Sequence, residues 1–503
     1  MLTWTLVMAA LAMLYMTVPP SPDQSQFDWM AFIATQGQPF YIGSFDMNWP
    51  GEMWLHELGI RMFGVHAWTW RLTDFLLMLG FTISGAMFLF RSGWRLAPWI
   101  FLFFYPPIYI TSGGWMAGQR DIIATGFLLV TCALAVRTGK NEIISVFAAG
   151  LMVAAAVLIR PTFLSFVAGL IILEFLPIKR QVLPNMTATR RSIGFLFGFA
   201  AGIGVAVLSG IYLGNLDDWY QQSVQFALSV YAGEPAQDWR ETIYTLFVRS
   251  WHWITFLALI GVGFSVRRDG LSYALVLALG VVATSAVSFT VQNKGFGYHL
   301  GGVLTMLVLY VAVMFDQLVH WDRSSRSQAH SIAVVAAAAL IFAGTTSKIM
   351  NFQQEISLLL SGDFGPSAGY GLTEAERLEI IDIIQTGNRP GEKVLVYGTN
   401  FELAYRAKRL PSHRFINIVI DQAKSNFPLH KKWIKEIDSS VMQNPPRYII
   451  FDRSYLTGSI ENPRPVLLDR PVLRLLVGLL PDRYKPVFSN ENVLVYAQID
   501  LSN

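Results

Sequence analysis

The sequence predicts an α-helical polytopic membrane protein with about eleven membrane-spanning helices and a small C-terminal α/β soluble domain. Three observations support this fold class. Of the 503 residues, 53% are hydrophobic and 14% are charged, whereas soluble domains carry about 25% charged residues. The mean hydropathy is +0.42. The apolar residues form runs of about 20, the length that crosses a bilayer, and the last of these runs ends near residue 348.

Each apolar run of sufficient length is predicted to be a span. The first is predicted to be a retained helix, because it lacks the charged n-region and the small-x-small cleavage site of a signal peptide. The single cysteine, Cys132, lies inside a later run, which excludes an intramolecular disulfide and a cysteine metal cluster. The predicted spans lie at about 2–19, 75–91, 96–111, 121–137, 142–159, 162–178, 193–213, 250–266, 271–291, 298–319 and 329–348.

The basic residues between the spans predict the orientation of the chain. Twelve of them occupy five short connections that fall on one side of an eleven-span count, and basic loops face the cytoplasm. The active face and residues 350–503 are therefore predicted to lie outside the cytoplasm, on the periplasmic side of an inner (plasma) membrane. The net charge of +4 does not indicate nucleic-acid binding, because the basic residues separate apolar runs and form no patch. They are Arg91, Arg95, Arg137, Lys140, Lys179, Arg180, Arg190, Arg191, Arg267, Arg268, Arg323 and Arg326.

The last third of the chain has a different character, which places a domain boundary between 1–349 and 350–503. The stretches starting at Lys393, Arg447 and Val493 have the short apolar pattern of buried strands, and residues 401–409 are predicted to form a helix. This pattern predicts a small α/β domain. It contains no catalytic motif.

Polar residues of unusual kinds gather in the predicted outer loops. The loop 20–74 is too long for a simple connection and is predicted to form helices along the membrane surface. Charged groups beside hydrocarbon are costly unless they pair or face water, so several on one face predict a shared polar cavity. The candidates are Asp28, Asp46 and Asn48 in the first loop, Arg120 and Asp121 in a second, and Gln292, Lys294, Tyr298 and His299 in a third.

Each candidate also has a structural interpretation. Asp28 fits a helix cap, Arg120 with Asp121 fits an ion pair at a helix end, and Lys294 with His299 fits contacts to lipid headgroups. His56 is followed by Glu57 but not by a second histidine at the HExxH spacing, so a zinc protease is excluded.

These short motifs resemble those of GT-C glycosyltransferases, polytopic enzymes that use polyprenyl-phosphate sugars. The likeness includes protein O-mannosyltransferases, the aminoarabinose transferase acting on lipid A and rhizobial lipopolysaccharide galacturonosyltransferases. It rests on an acidic residue after the first span, a segment similar to Gly-x-x-Pro-Tyr/Phe, an acidic residue before a Pro-rich turn, and then a Leu-Phe-Gly-like segment and an Arg before the second span. In this chain these are Asp28, Gly37 to Phe40, Asp46 to Gly51, Met62 to Gly64, and Arg71. The layout continues with Gly-Gln-Arg-Asp and Gln-x-Lys-Gly-x-x-Tyr-His.

The resemblance implies a transferase that moves a sugar from a polyprenyl-phosphate donor to a lipid, glycan or protein acceptor in cell-envelope polysaccharide biosynthesis. Such a reaction needs a carboxylate to take the acceptor proton and cations or a metal to stabilise the departing phosphate. Asp28 is expected to be the general base and Asp121 a second carboxylate. Arg120, Lys294 and His299 are expected to bind the phosphate, and Asp46, Asn48, Gln292 and Tyr298 to bind further parts of the substrate.

A divalent metal is the one cofactor that the resemblance implies, with Asp28 and Asp121 as its carboxylate ligands. The sequence departs from the aminoarabinose enzyme here, which has Glu-Lys-Pro-Pro where this chain has Asn48-Trp49-Pro50-Gly51. The glutamate and lysine that help to hold metal and phosphate in that enzyme are thus absent from these positions. Two alternatives remain, a lipid-linked glycan transporter or flippase and a non-catalytic assembly subunit. Clean spans with polar residues at their outer ends favour the enzyme.

Overall fold

The computed structural model describes residues 2–179, 186–230, 232, 238–245, 252–320, 353–361, 367, 371–386, 391–422, 427–467 and 469–499. These residues form two compact units. The first unit comprises Met1–Tyr15, Asp74–Ser209 and Pro235–Ser357, and the second comprises Met16–Thr73, Gly210–Glu234 and Leu358–Asn503. The predicted boundary at residue 349 stays a prediction.

Helices lie over every predicted span from residue 2 to residue 320, which confirms the helical membrane fold class. The predicted span 329–348 lies outside the described residues, and the number of spans stays a prediction. Within the described part of the chain, the helices long and apolar enough to cross a membrane are Thr69–Arg91, Glu142–Ile159, Ala188–Tyr212, Tyr273–Gln292 and Gly297–His320. The other helices over predicted spans are Leu2–Met16, Ala97–Ile110, Arg120–Ala135, Ser165–Phe175 and His252–Asp269.

Small residues allow the helices Glu142–Ile159 and Ala188–Tyr212 of the first unit to pack closely. A Cβ atom added to Gly150 would lie 2.1 Å from the carbonyl oxygen of Phe195, and one added to Gly198 would lie 2.0 Å from that of Phe147. Such distances are too short for real atoms, so both positions require glycine. Close backbone approach at small residues is a common way for helices to associate in lipid, where the hydrophobic effect gives no driving force.

Gly198→Ala should separate these two helices and lower the stability of the protein by about 1–3 kcal/mol, the usual effect of overpacking. The matched control is Gly204→Ala on the same helix, where an added Cβ would meet nothing within 4 Å. Alanine there should be neutral or stabilising by up to about 1 kcal/mol. Thermal unfolding of the detergent-solubilised protein measures both variants, and equal midpoints for the two would contradict the packing described here.

A buried ion network connects other helices of the first unit. Arg191 is 2% exposed, and its guanidinium donates to Glu142 at 2.6 Å and to Glu174 at 2.9 Å. Tyr273 donates its hydroxyl proton to Glu174 at 2.6 Å. The two glutamates therefore compensate the positive charge of Arg191 inside the protein. Arg191 is also one of the basic residues from which the orientation is predicted.

In the N-terminal part of the second unit, a capping box marks the start of one helix and a glycine marks the end of another. The helix Pro22–Thr35 begins at a capping box, in which Ser21 and Gln24 each accept a backbone N–H of the other. The helix Gly51–Phe63 ends at Gly64, whose φ of 80° is in the region that favours glycine. The predicted outer loop 20–74 is thus largely helical.

The C-terminal part of the second unit contains the predicted α/β domain. Its strands, β1 to β6 in chain order, are Val394–Tyr397, Tyr448–Asp452, Leu456–Gly458, Pro463–Pro465, Tyr484–Ser489 and Val493–Gln498. The strands β1 and β2 are parallel, and β6 runs antiparallel between β2 and β5, giving the order β1-β2-β6-β5. The strands β3 and β4 form a separate antiparallel pair. The helices of the unit after residue 210 are Leu216–Tyr220, Ala227–Ser229, Glu374–Thr386, Phe401–Arg406, Val419–Gln422, His430–Gln443 and Pro471–Arg483.

Residues far apart in the sequence share the core of the second unit. Phe45 from the N-terminal segment and Phe226 from the middle segment pack with Trp433 of the C-terminal segment, with ring centroids 5.2–5.7 Å apart. The core around the C-terminal residues therefore also includes side chains from two earlier segments of the chain.

His413 is expected to make the stability of the second unit depend on pH. Both ring nitrogens are shielded from solvent and lack a hydrogen-bond partner among the described residues. Burial, reinforced by Lys393, lowers the pKa of His413 to about 4. Between pH 6.5 and about pH 4, His413 is therefore protonated in the unfolded chain and neutral in the folded chain.

Stability should fall as the pH falls from about 6.5 to about 4, because protons bind the unfolded state preferentially in that window. The gap between a pKa of 6.5 and one of about 4 corresponds to about 3 kcal/mol. His413→Leu should remove this part of the acid sensitivity. Thermal unfolding at pH 4.5 and 7 measures it, and an unchanged difference in the variant would assign the sensitivity to other groups.

Candidate active site

The predicted base, Asp28, lies in the interior of the second unit. It is carried by the helix Pro22–Thr35 and is 3% exposed. Its Oδ1 is 2.7 Å from Nδ1 of His56, which is 1% exposed and belongs to the helix Gly51–Phe63. A buried carboxylate and a buried imidazole thus form a hydrogen-bonded pair between two helices.

Glu52 and Trp70 complete the surroundings of the imidazole. Glu52 lies one helical turn before His56, with Oε1 3.7 Å from Nε2. The ring of Trp70 stacks on the imidazole at 3.5 Å between centroids and 12° between planes. Burial raises the pKa of Asp28, although His56 opposes this. Burial opposes protonation of His56, but Asp28 and Glu52 together raise its pKa above the ordinary value.

Asp46 and Asn48 form a tight polar turn in the same unit. The carboxylate of Asp46 accepts from Gln26 at 2.6 Å and from the backbone N–H of Asn48 at 2.6 Å. The backbone N–H of Asp46 donates to Gln222 at 3.1 Å, and Tyr41 donates its hydroxyl proton to the carbonyl of Asn48 at 2.8 Å. Because Gln26 is on the same helix as Asp28, this turn is tied to the helix that carries the predicted base.

The first unit contains a second cluster, centred on Asp121. Arg160 forms a two-point ion pair with it, with Nε 3.0 Å from Oδ1 and Nη2 2.9 Å from Oδ2. Arg160 also donates to the side-chain oxygen of Gln292, and Gln292 donates to the hydroxyl of Ser288 at 3.0 Å. Arg160 is 8% and Asp121 3% exposed, so the pair is an example of charges that are buried together.

The remaining predicted phosphate ligands of this unit lie around the same cluster or in the adjoining connection. His299 is 3% exposed and its Nδ1 has no hydrogen-bond partner among the described residues. Its ring interacts electrostatically with the charged side chains of Asp121, Arg160 and Arg120. Lys294 and Tyr298 belong to the connection before His299, where the Tyr298 ring stacks with that of Trp115 at 5.5 Å.

Hydrogen bonds from neighbouring helices fix the start of the helix that carries Arg120 and Asp121. Asp74 is fully buried and accepts the hydroxyl protons of Tyr15 at 2.5 Å and Tyr109 at 2.6 Å. The same Tyr109 oxygen accepts from the backbone N–H of Gly118 at 3.0 Å. The turn that precedes the helix Arg120–Ala135 is thereby attached to a buried carboxylate.

The donor atoms of these clusters do not fit a resident metal ion. In the described residues, no group of three His, Cys, Asp or Glu side chains could hold a metal ion. Both oxygens of Asp121 face the guanidinium of Arg160, whose positive charge repels a cation. Oδ1 of Asp28 faces His56. No step of the mechanism is therefore derived through a metal.

The structure groups the predicted residues into two sets and adds others that the sequence did not single out. Asp121, Gln292 and His299 meet in the first unit, whereas Asp28 and Asp46 are linked through one helix in the second. The roles of all the predicted residues stay predictions. The residues that were not predicted are Glu52, His56, Arg160, Gln26, Gln222 and Ser288. Of these, Arg160 had a visible signal, a charge at the end of an apolar run.

Known structures share this fold. No protein-family model and no curated protein sequence matches the chain. The chain is similar to ArnT from Cupriavidus metallidurans bound to undecaprenyl phosphate, with a TM-score of 0.60 and 12% identity over 99% of this chain and 98% of that one. It is also similar to the oligosaccharyltransferase AglB from Archaeoglobus fulgidus in complex with an inhibitory peptide and a dolichol-phosphate, with a TM-score of 0.51 and 10% identity over 100% of this chain and 74% of that one.

A third similar structure is the arabinofuranosyltransferase AftD from Mycobacteria, with a TM-score of 0.50 and 13% identity. The likeness covers 98% of this chain and 41% of AftD. These proteins are GT-C glycosyltransferases, so the chain is a polytopic membrane protein with the GT-C fold, as the sequence resemblance predicted. At this level of identity the likeness shows the fold.

The Asp121–Arg160 pair predicts a specific pattern of stability changes. Asp121→Asn or Arg160→Met alone should destabilise the first unit by about 3–5 kcal/mol, because either change leaves one charge buried and uncompensated. The double variant should be more stable than either single variant. Thermal unfolding of the four proteins measures the coupling, and simple addition of the two single effects would show that the charges do not interact.

Proposed function

We propose that the chain is a membrane glycosyltransferase that moves a sugar from a polyprenyl-phosphate donor to an acceptor outside the cytoplasm. The acceptor is a lipid, a glycan or a protein. The observation that carries the proposal is the environment of Asp28. Its carboxylate is almost fully buried, and among the described residues it is hydrogen-bonded through one oxygen, Oδ1. The similar ArnT and AglB structures hold undecaprenyl phosphate and dolichol-phosphate, which supports a polyprenyl phosphate as the carrier.

Asp28 acts as the general base. The acceptor hydroxyl attacks the anomeric carbon of the sugar, its proton passes to the carboxylate, and the bond from that carbon to the phosphate oxygen breaks. Burial raises the pKa of Asp28, which makes the carboxylate a better proton acceptor near neutral pH. One displacement without a covalent intermediate inverts the anomeric configuration.

The departing phosphate gains negative charge, and fixed cations stabilise it. We assign this role to Arg120, Lys294 and His299, and Arg160 adds a guanidinium to the same cluster. Asp121 holds that guanidinium in place through two contacts. Asp46, Asn48, Gln292 and Tyr298 bind or frame other parts of the substrate. The site and the C-terminal residues face the periplasm, in accordance with the basic loops.

Asp28→Asn should lower the transfer rate by about 10²–10⁴-fold, the usual contribution of a general base. Asparagine keeps the shape of the side chain and removes its basicity, so donor binding should survive. Lys294→Met should weaken donor binding as well as turnover. The measurement is release of polyprenyl phosphate by the purified protein from a panel of polyprenyl-phosphate sugars, with donor affinity and product anomeric configuration determined in parallel.

Two results would contradict the proposal. Near wild-type turnover by Asp28→Asn would transfer the role of base to Asp46 or Asp121. Movement of the intact donor across proteoliposome membranes, without cleavage of its sugar–phosphate bond, would identify a flippase instead of a transferase.

A further inference from the structure

His56 is the residue whose side chain hydrogen-bonds to Asp28 in the part of the chain that the structure describes. Its Nδ1 lies 2.7 Å from Oδ1 of the carboxylate. An ionised carboxylate only accepts hydrogen bonds, so Nδ1 carries the proton whenever Asp28 is ready to act as a base. This bond occupies one carboxylate oxygen and leaves Oδ2 for a substrate.

The imidazole ring is held in one orientation by Trp70. The two rings are nearly parallel, with centroids 3.5 Å apart. Close contact between the helix Gly51–Phe63 and the start of the next helix makes this possible, because a Cβ on Gly59 would lie 2.4 Å from Oγ1 of Thr73. Rotation of the imidazole would break the stacking in a region with little free space.

Glu52 acts on the opposite edge of the ring. Its carboxylate is 1% exposed and neither oxygen has a hydrogen-bond partner among the described residues. Oε1 lies 3.7 Å from Nε2 of His56. When His56 carries a proton on both ring nitrogens, the Glu52 carboxylate attracts the N–H at Nε2 and opposes a flip that would turn this edge away. The imidazole is therefore fixed by a carboxylate on each edge and by an indole on one face.

We propose that His56 is a positioning residue for sugar transfer, which holds the Asp28 carboxylate so that Oδ2 is presented to the acceptor hydroxyl. This inference rests on the proposed function, in which Asp28 is the base. His56 itself touches no substrate. Its effect is on geometry, and a displacement of a reacting group by about 1 Å can lower a rate by about 10²-fold.

Two substitutions of His56 separate positioning from simple packing. His56→Asn places an amide N–H where Nδ1 stands and keeps the bond to Asp28, whereas His56→Gln places its amide near the position of Nε2 and loses that bond. We expect kcat to stay within about 5-fold of wild type in His56→Asn and to fall by about 10–100-fold in His56→Gln. The donor KM and the donor affinity should be unchanged in both.

His66→Gln is the matched control. His66 is an exposed histidine of the same unit whose ring stacks on Trp68, with centroids 4.8 Å apart, and its substitution should leave kcat unchanged. If His56→Gln does not fold, Trp70→Phe and Trp70→Leu give an equivalent comparison. Phenylalanine keeps a ring for the imidazole to stack on, so kcat should be lower in the leucine variant.

The outcomes distinguish this inference from the proposed function. Equal kcat values for His56→Asn and His56→Gln, in a wild-type protein that transfers sugar and needs Asp28, would overturn the positioning role alone. Wild-type protein that releases no polyprenyl phosphate from any donor, or an Asp28→Asn variant with near wild-type turnover, would overturn the proposed function. A large difference between the two His56 variants at constant donor KM supports both.

Discussion

A charged side chain that is buried in an apolar protein is costly unless a partner compensates its charge, and this requirement shapes both candidate clusters. Asp28 meets His56, Asp121 meets Arg160, and Arg191 meets two glutamates. Breaking such a pair from one side typically costs about 3–5 kcal/mol. The pairing partners come from different helices in each case. The same bonds that compensate charge therefore also fix how those helices are arranged around the polar residues.

Asp28 and Asp121, the two carboxylates with predicted chemical roles, have different hydrogen-bond partners, and this difference favours different roles for them. Both oxygens of Asp121 contact the guanidinium of Arg160. Asp28 uses one oxygen on an imidazole, and burial raises its pKa. A carboxylate of the second kind suits a general base, whereas one of the first kind suits the orientation of a cation that binds phosphate.

The sequence predicted the helices well because each apolar run is a local signal, readable without knowledge of its neighbours. It also predicted β1, β2 and β6 from short apolar stretches. His56 was missed because its partner is 28 positions away, and the HExxH pattern tests only partners on the same helix. Arg160 was missed for a similar reason, since its pairing with Asp121 spans 39 positions. Which side chains meet across two helices depends on how the helices pack. The pattern of residues within one helix does not specify that packing.

The C-terminal segment carries no predicted catalytic group, yet it contributes directly to the surroundings of Asp28. Trp29, the next residue on the same helix, donates its indole N–H to the carbonyl of Arg409 at 2.8 Å. Asn417 donates to Gln26 at 2.9 Å, and Gln26 holds Asp46. Trp29 and Gln26, on the helix that carries the predicted base, are thus anchored to residues 380 and 391 positions later in the chain. Because a displacement of a reacting group by about 1 Å can lower a rate by about 10²-fold, a segment with no predicted catalytic group can still affect the rate by fixing the helix that carries the predicted base.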